Sequence, residues 1–199
     1  MSPARQRIGW AVGALIIVVG LTYPVFGSQF VQALTADADA DGCAGSGDPP
    51  TEPNAAQTRR ATLCLLNARR TEAGLRPLTS SRTLARAARA HSADMGKRRF
   101  FAHDTPDRVE PADRIVAAGY PATDVTVGEN LAWGEESAGT PAEIVEGWME
   151  SPGHRANVLR REFREIGIGL AYEPPRPVSG RVAVYTTNFG GRLPRRSAR

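Results

Sequence analysis

A chain of 199 residues, 41% of them hydrophobic, can form one domain with a packed core and terminal extensions. Its 25 basic residues, of which only Lys97 is a lysine, exceed its 21 acidic residues and give a net charge of +4. Nucleic acid is not an expected partner, because nucleic-acid surfaces interleave basic with aromatic side chains and aromatic residues make up only 7% of this sequence.

The N-terminus carries an uncharged stretch, Ile8–Phe26, that is preceded by two arginines. About 20 apolar residues span a bilayer, and flanking arginines stay on the cytoplasmic side. Residues 1–34 are therefore predicted to be a membrane anchor or a signal peptide, with the rest of the chain outside the plasma membrane. The length of the stretch favours a retained single-pass anchor with its N-terminus inside. Cleavage after Val31-Gln32-Ala33, followed by secretion, is the alternative, because these residues fit the pattern of a cleavage site.

Residues 35–57 are predicted to be a flexible acidic linker, because they are rich in Ala, Asp, Gly and Pro and lack apolar periodicity. The chain from residue 58 onward has 23 basic and 16 acidic residues, a net charge of +7 (23 − 16). Outside a bacterial cell such a domain would be attracted to anionic wall polymers or lipid head groups. A merely solvated arginine surface is the alternative. Residues 192–199 are predicted to be a basic tail.

The two cysteines, Cys43 and Cys64, are an even number in an oxidising compartment and are predicted to form a disulfide. Closing the loop between them should stabilise the fold by roughly 3 kcal/mol. The bridge would tie the end of the linker to the first helix of the domain. Two free thiols are the alternative.

Residues 58–191 are predicted to form the domain. Helical spacing joins Ala61, Leu65 and Ala68 in a first helix that Gly74 ends, and Leu84, Ala88, His91 and Met95 in a second. A capping box, Thr140-Pro141-Ala142-Glu143, begins a third helix that buries Ile144, Val145 and Trp148. Residues 166–172 and 182–189 are predicted strands. Helices on both sides of short strands indicate an α+β fold, a three-layer α-β-α sandwich.

Five motifs follow one another in this domain. They are Ala88-x-x-His91-Ser92-x-Asp94-Met95, Phe101-Ala102-His103, Gly128-Glu129-Asn130-Leu131-Ala132, the run from Trp148 to Asn157, and Glu165-Ile166-Gly167-Ile168-Gly169. In this order they resemble the bacterial branch of the CAP superfamily, which groups cysteine-rich secretory proteins, antigen 5 and plant pathogenesis-related proteins. The resemblance covers residues 61–191. It implies the same fold, with a cleft lined by histidines and acids.

The resemblance also implies which residues line that cleft. His103 corresponds to the first histidine of the family pattern, Glu129 to the first acid and His154 to the second histidine. The second acid is missing, because Ser151 stands in its place and the neighbouring Glu150 would point about 100° away along a helix. The set is therefore incomplete, which weakens the case for catalysis.

The remaining ionisable candidates are expected to be structural. His91 shares the apolar face of the second helix and is predicted to be a hydrogen-bonded core residue. Glu165 is expected to pair with an arginine rather than to take part in catalysis.

A metal site and a hydrogen-bonded network are both compatible with His103, Glu129 and His154. Two imidazoles and one carboxylate suit Zn²⁺ and leave a position for a water molecule that could act in hydrolysis. In the alternative, Glu129 accepts hydrogen bonds that position both rings. Zinc is the one candidate cofactor, but the sequence has no His-Glu-x-x-His pair, which weakens the case for it. Because a Gly-x-Ser-x-Gly turn is also missing, no catalytic residue is assigned.

The expected protein is an exported CAP-domain protein without enzymatic activity. It would be a ligand-binding or scaffold module at the outer side of the membrane, or secreted, whose ligand is a lipid, a wall fragment or an extracellular protein. A metal-dependent extracellular hydrolase acting on wall peptide or protein is the alternative.

Overall fold

The computed structural model describes residues 42–193. The predicted anchor or signal peptide (1–34), the first part of the predicted linker (35–41) and most of the predicted tail (194–199) lie outside this range. Within the described range, no helix combines the length and the apolar character needed to cross a bilayer.

Five helices and four strands follow one another in the described residues. The helices are α1 (Ala55–Glu72), α2 (Arg82–Arg98), α3 (Pro111–Ala117), α4 (Pro141–Glu150) and α5 (Pro152–Val158). The strands are β1 (Thr79–Ser80), β2 (Val125–Glu135), β3 (Glu165–Ala171) and β4 (Val182–Arg192). A short 3-10 turn joins β2 to α4.

The four strands form a single sheet in the order β1-β3-β4-β2. The two-residue strand β1 pairs with β3 in parallel, whereas β4 pairs with both β3 and β2 in the antiparallel sense. The register of β2 and β4 places Glu129 directly opposite Asn188. This pairing brings two polar residues from distant parts of the sequence together within the ladder between β2 and β4.

Helices pack against both faces of the sheet. Successive side chains of a strand point to opposite faces. On β4, Tyr185 and Phe189 belong to a hydrophobic cluster with residues of α1, α4 and α5. Between them, the hydroxyl group of Thr186 accepts a hydrogen bond of 2.8 Å from Ser92 of α2. The α+β class is therefore confirmed, and the helices are layered as expected for a three-layer α-β-α sandwich.

The contact between α2 and β3 depends on glycines. A Cβ atom on Gly167 would overlap the backbone of α2 at Leu84 and Ala85, and one on Gly169 would overlap it at Ala88. The side chains of Ile166 and Ile168 pack in the hydrophobic cluster on the opposite face. The alternation of glycine and isoleucine in β3 thus lets α2 lie directly on the sheet.

The helices predicted from apolar spacing are present. Leu84, Ala88, His91 and Met95 are all buried on α2. At the start of α4, Thr140 accepts a 3.4 Å hydrogen bond from the backbone nitrogen of Glu143. Trp148 is buried and donates from Nε1 to the carbonyl oxygen of Leu131 on β2 at 3.0 Å. Helix α4 is therefore attached to the strand that carries Glu129.

The predicted disulfide between Cys43 and Cys64 is confirmed. It holds Cys43 in the main hydrophobic cluster, where this residue is only 1% exposed. The backbone nitrogen of Ala142 donates to the carbonyl oxygen of Ser46 at 2.9 Å. The structure thus differs from the predicted flexible linker over residues 42–57: they are packed against the domain, and α1 already begins at Ala55.

A fully buried arginine, Arg70, was not predicted to have a structural role. Its guanidinium group donates to the carbonyl oxygens of Arg76, Val158, Arg160 and Phe163 at 2.7–3.0 Å. Burial lowers the pKa of Arg70. These bonds fix the segment between α5 and β3, whose Phe163 stacks on Phe189 with ring centroids 5.4 Å apart.

The prediction that Glu165 pairs with an arginine is wrong. Instead, the hydroxyl group of Tyr120 donates to Oε2 of Glu165 at 2.7 Å. Burial of Tyr120, together with this contact, raises the pKa of the tyrosine. The pairing joins the segment after α3 to the start of β3.

The described residues contain an extensive hydrophobic core. The three clusters of buried hydrophobic residues and the disulfide all lie within residues 42–193. A chain that begins at residue 35 is therefore expected to fold without the preceding segment.

Candidate functional site

The carboxylate of Glu129 lies near the middle of β2 and is almost completely buried, with 2% of its side chain exposed. The preceding residue has to be small, because a Cβ atom on Gly128 would lie 2.8 Å from the ring of Phe163. A charge in such an environment needs close partners, since burial of an unpaired carboxylate costs several kcal/mol.

Arg114 supplies the opposite charge. Its Nη2 atom donates to Oε1 of Glu129 at 3.1 Å and to Oε2 at 2.9 Å, while Nη1 donates to the carbonyl oxygen of Val109 at 2.8 Å. Helix α3, which carries Arg114, is held in place by Ile115, a fully buried residue that packs against Leu84 of α2. The ion pair is thus positioned by the core.

Two further residues complete the shell around the carboxylate. The Nδ1 atom of His103 lies 3.0 Å from Oε1 of Glu129. With its amide nitrogen turned toward the carboxylate, Asn188 donates to Oε2 at 3.0 Å, and its amide oxygen accepts from the backbone nitrogen of Ala88 at 3.1 Å. Both oxygens of Glu129 therefore have two partners each.

His103 lies at the outer side of this cluster, with 51% of its side chain exposed. It belongs to the loop after α2, as expected from the sequence. The preceding residue, Ala102, is held by His91, whose Nε2 lies 3.0 Å from the Ala102 carbonyl oxygen. Burial lowers the pKa of His91 and favours the neutral ring, so that Nε2–H donates. His91 is thus a hydrogen-bonded core residue, as predicted, and its contact with Ala102 positions the loop that carries His103.

His154 lies on α5, which is hydrogen-bonded to β2 beside Glu129. The carbonyl oxygen of His154 accepts from Nδ2 of Asn130 at 3.1 Å, and Asn157 of the same helix donates to the backbone oxygen of Glu129 at 3.2 Å. Burial lowers the pKa of His154, and the positive charge of protonated His103 lowers it further. The ring of His154 therefore prefers the neutral form and lies within electrostatic reach of His103.

Ser151 stands where the resemblance places a second acid. It connects the end of α4 to the start of α5 and is half-buried, while the neighbouring Glu150 is exposed.

The residues do not fit a zinc site well. Within residues 42–193, no group of three or more His, Cys, Asp and Glu side chains could hold a metal ion. The donor chemistry gives the reason: both oxygens of Glu129 already face the guanidinium group of Arg114, whose charge would oppose a cation. His103 and His154 alone would be two ligands of the four that zinc prefers.

Arg114 and Asn188 are the members of the site that the sequence analysis missed. Arg114 follows Pro111 by three residues in a seven-residue helix too short for a periodic signal. Asn188 lies in a strand that was predicted, but only the register of β4 with β2 shows that it faces Glu129.

Comparison with known sequences identifies one family. The sequence model described as "CAP: Cysteine-rich secretory protein family" matches residues 63–189, a range that includes Glu129 and both cleft histidines. The Bacillus subtilis (strain 168) protein YkwD is 42% identical over 105 residues, which are 53% of this chain and 39% of YkwD. The match therefore spans less than half of that relative.

Solved structures with the same fold come from other bacteria. An extracellular protein containing an SCP domain from Bacillus anthracis has a TM-score of 0.55 and 27% identity, and the match covers 70% of this chain and 44% of that one. An outer surface protein from Borrelia burgdorferi has a TM-score of 0.57 and 20% identity, with 68% and 93% covered. At 20% identity the second likeness supports the fold alone.

Proposed function

The chain belongs to the cysteine-rich secretory protein (CAP) family, and we propose that it is an exported, non-catalytic module that binds a ligand through the His103–Glu129–His154 cleft. Export is supported by the apolar stretch in residues 1–34 and by the disulfide. The similar SCP-domain protein from Bacillus anthracis is extracellular. Membrane anchoring through residues 1–34 and secretion after cleavage both remain compatible with this proposal.

One observation carries the non-catalytic assignment: Glu129 is fully engaged by Arg114, His103 and Asn188. A general base has to accept a proton from the substrate, and a metal ligand has to offer a lone pair to the cation. The buried ion pair, in which Nη2 of Arg114 contacts both carboxylate oxygens, opposes both roles. What Glu129 does in this arrangement is to fix the ring orientation of His103.

The ring of His103 then defines what the cleft can bind. Because Nδ1 of His103 faces Glu129, the opposite ring nitrogen, Nε2, is the one that can contact a ligand. His154 prefers the neutral form and offers a second ring nitrogen. The neutral ring of His154 favours a ligand with hydroxyl or amide donors, and wall glycans and wall peptides carry both groups. We therefore propose a wall fragment as the ligand, ahead of a lipid or an extracellular protein.

A titration with soluble peptidoglycan fragments tests the proposal. The chain from residue 35 onward is titrated calorimetrically, and the single variants His103→Ala and His154→Ala are expected to bind about tenfold more weakly, the loss of a hydrogen-bonding partner at about 1–1.5 kcal/mol. Arg76→Ala, at an exposed position, is the matched control and should bind normally. Equal binding by all four proteins would exclude the cleft as the binding site.

The alternative function is a metal-dependent extracellular hydrolase acting on wall peptide or protein. The same fragments, incubated with the protein and Zn²⁺ at pH 7.5, should remain intact by mass spectrometry. A calorimetric titration with Zn²⁺ alone should show no stoichiometric binding. Cleaved fragments, together with zinc binding that His103→Ala abolishes, would replace the proposal by the hydrolase.

A further inference from the structure

A cavity lies between α1 and α2, and His103, Glu129 and His154 are not among its lining residues. Its volume is about 660 Å³, and the buried residues Ile166 and Ile168 of β3 form part of its wall. We call this cavity the arginine groove, because five of its lining residues are arginines: Arg59 and Arg60 on α1, and Arg82, Arg86 and Arg89 on α2. The lining residues include no Asp or Glu.

These five arginines have no carboxylate partner within residues 42–193. Other arginines of the domain do: Arg98 pairs with Asp94 and Asp107, and Arg181 pairs with Glu136. Several unpaired cations that face one another across a groove attract an anionic ligand and hold it by charge-assisted hydrogen bonds. The charge of the groove therefore specifies an acidic partner.

A free strand edge runs along the same groove. Strand β1 ends at Ser80 and pairs only with Glu165 and Ile166, although β3 continues to Ala171. The carbonyl oxygen of Ile166 accepts from the backbone nitrogen of Ser81, so that alternate residues of β3 turn their backbone groups to this side. By this alternation, the backbone N–H and C=O groups of Ile168 and Leu170 point to the same side. No strand among the described residues pairs with them there.

We propose that the arginine groove binds an extended acidic peptide segment of a partner protein, which adds a strand to the free edge of β3. The backbone of the peptide would pair with Ile168 and Leu170, and its acidic side chains would reach the arginines of α1 and α2. Strand addition of this kind derives affinity from main-chain hydrogen bonds and specificity from flanking side chains. An anionic wall polymer would satisfy the arginines but could not continue the ladder, and this difference favours a peptide. The groove would act in addition to the cleft of the proposed function.

The test uses three synthetic heptapeptides and the chain from residue 35 onward. The first, Thr-Asp-Val-Asp-Val-Asp-Thr, is acidic and prone to form a strand. The second replaces each aspartate by asparagine and removes only the charge. The third keeps the aspartates but carries N-methyl groups on consecutive backbone nitrogens and therefore cannot pair along either edge. The first peptide should bind, and each of the others should bind at least about tenfold more weakly.

Protein variants locate the site. Arg59→Gln/Arg86→Gln removes one arginine from each helix and should weaken binding of the acidic peptide about tenfold, whereas Arg76→Gln/Arg161→Gln, at exposed positions outside the groove, should leave it unchanged. Amide hydrogen exchange at Ile168 and Leu170 should slow when the peptide is bound. Polyphosphate serves as a non-peptide polyanion and should leave the exchange at these two amides unaltered.

Several outcomes would overturn the proposal. No binding of the acidic peptide excludes the groove as a peptide site. Full binding of the N-methylated peptide shows attraction by charge alone and excludes strand addition. Unchanged binding by the Arg59→Gln/Arg86→Gln variant, or unchanged exchange at Ile168 and Leu170, places the peptide elsewhere on the domain.

Discussion

Replacing Arg114 by methionine should destabilise the domain far more than replacing an arginine at its surface. Methionine retains much of the length and apolar contact of the side chain but removes the charge that Glu129 faces. The two side chains are 11% and 2% exposed, and the guanidinium group contacts both carboxylate oxygens. Breaking a buried pair by removing one partner costs about 3–5 kcal/mol, because the remaining charge is left without compensation. An exposed pair would cost about 0–1 kcal/mol.

The free energy of unfolding of the chain from residue 35 onward is measured by urea denaturation followed by circular dichroism. Arg114→Met is compared with Arg76→Met at an exposed position, where the loss should stay below about 0.5 kcal/mol. For a domain of this size, a loss of 3–5 kcal/mol corresponds to a decrease in Tm of roughly 6–20 °C.

A double variant separates the lost charge from lost packing. Arg114→Met/Glu129→Gln also removes the carboxylate, so it should recover a large part of the stability that the single variant loses. A loss below about 1 kcal/mol for Arg114→Met would refute the reasoning, because the pair would then behave like a surface ion pair. A double variant less stable than Arg114→Met would show that packing, and not the buried charge, accounts for the effect.

Three further predictions concern the rest of the fold. Replacing Cys43 and Cys64 by serine should cost roughly 3 kcal/mol under non-reducing conditions, and an unchanged urea midpoint would contradict the role of the bridge. Because burial lowers the pKa of His91, the unfolded chain binds more protons there, so stability should fall as the pH decreases below about 6.5, through the folded-state pKa. Urea titrations over this range should show a shallower decrease for His91→Gln, and parallel curves would exclude His91 as a source. Gly169→Ala should destabilise the domain by several kcal/mol, because its Cβ would overlap α2. Gly147→Ala, in open space on α4, should stabilise it by about 0.5–1 kcal/mol. Tm values of both variants equal to that of the unchanged chain would contradict both expectations.

Local signals in the sequence were sufficient for several helices and for the strands β3 and β4. The spacing of Leu84, Ala88, His91 and Met95 reflects one continuous buried face, and Thr140 with Pro141 marks a helix start through short-range geometry. The strand β4 was predicted because it is rich in β-branched residues. Such signals depend on neighbours within a few residues, which a single sequence displays directly.

Strand β2 was not predicted, although it carries the Gly-Glu-Asn motif. Its residues have no clear alternation of buried and exposed positions, because polar Glu129 and Asn130 are both buried. The strand exists because it pairs with β4 along eleven residues, a contact between distant parts of the chain. Tertiary pairing of this kind overrides weak local preferences.

The candidate site was only partly predictable for the same reason. The resemblance indicated His103, Glu129 and His154, and the structure shows that Glu129 contacts His103 and that His154 lies within electrostatic reach of His103. The positive charge that neutralises Glu129 comes from Arg114. Arg114 lies in α3, a helix too short to show apolar periodicity in the sequence. Without Arg114 the zinc hypothesis and the network hypothesis could not be distinguished from residue types alone.

The central claim is that His103 and His154 bind a wall fragment without cutting it. Two-dimensional NMR of the imidazole ring signals during a titration with soluble peptidoglycan fragments tests this claim most directly. We predict saturable shifts of the His103 and His154 signals, no shift of the buried His91 signal, and unaltered fragments at the end of the titration. Ring signals of His103 and His154 that stay fixed while the fragments are in excess, or fragments that are cleaved, would contradict the account.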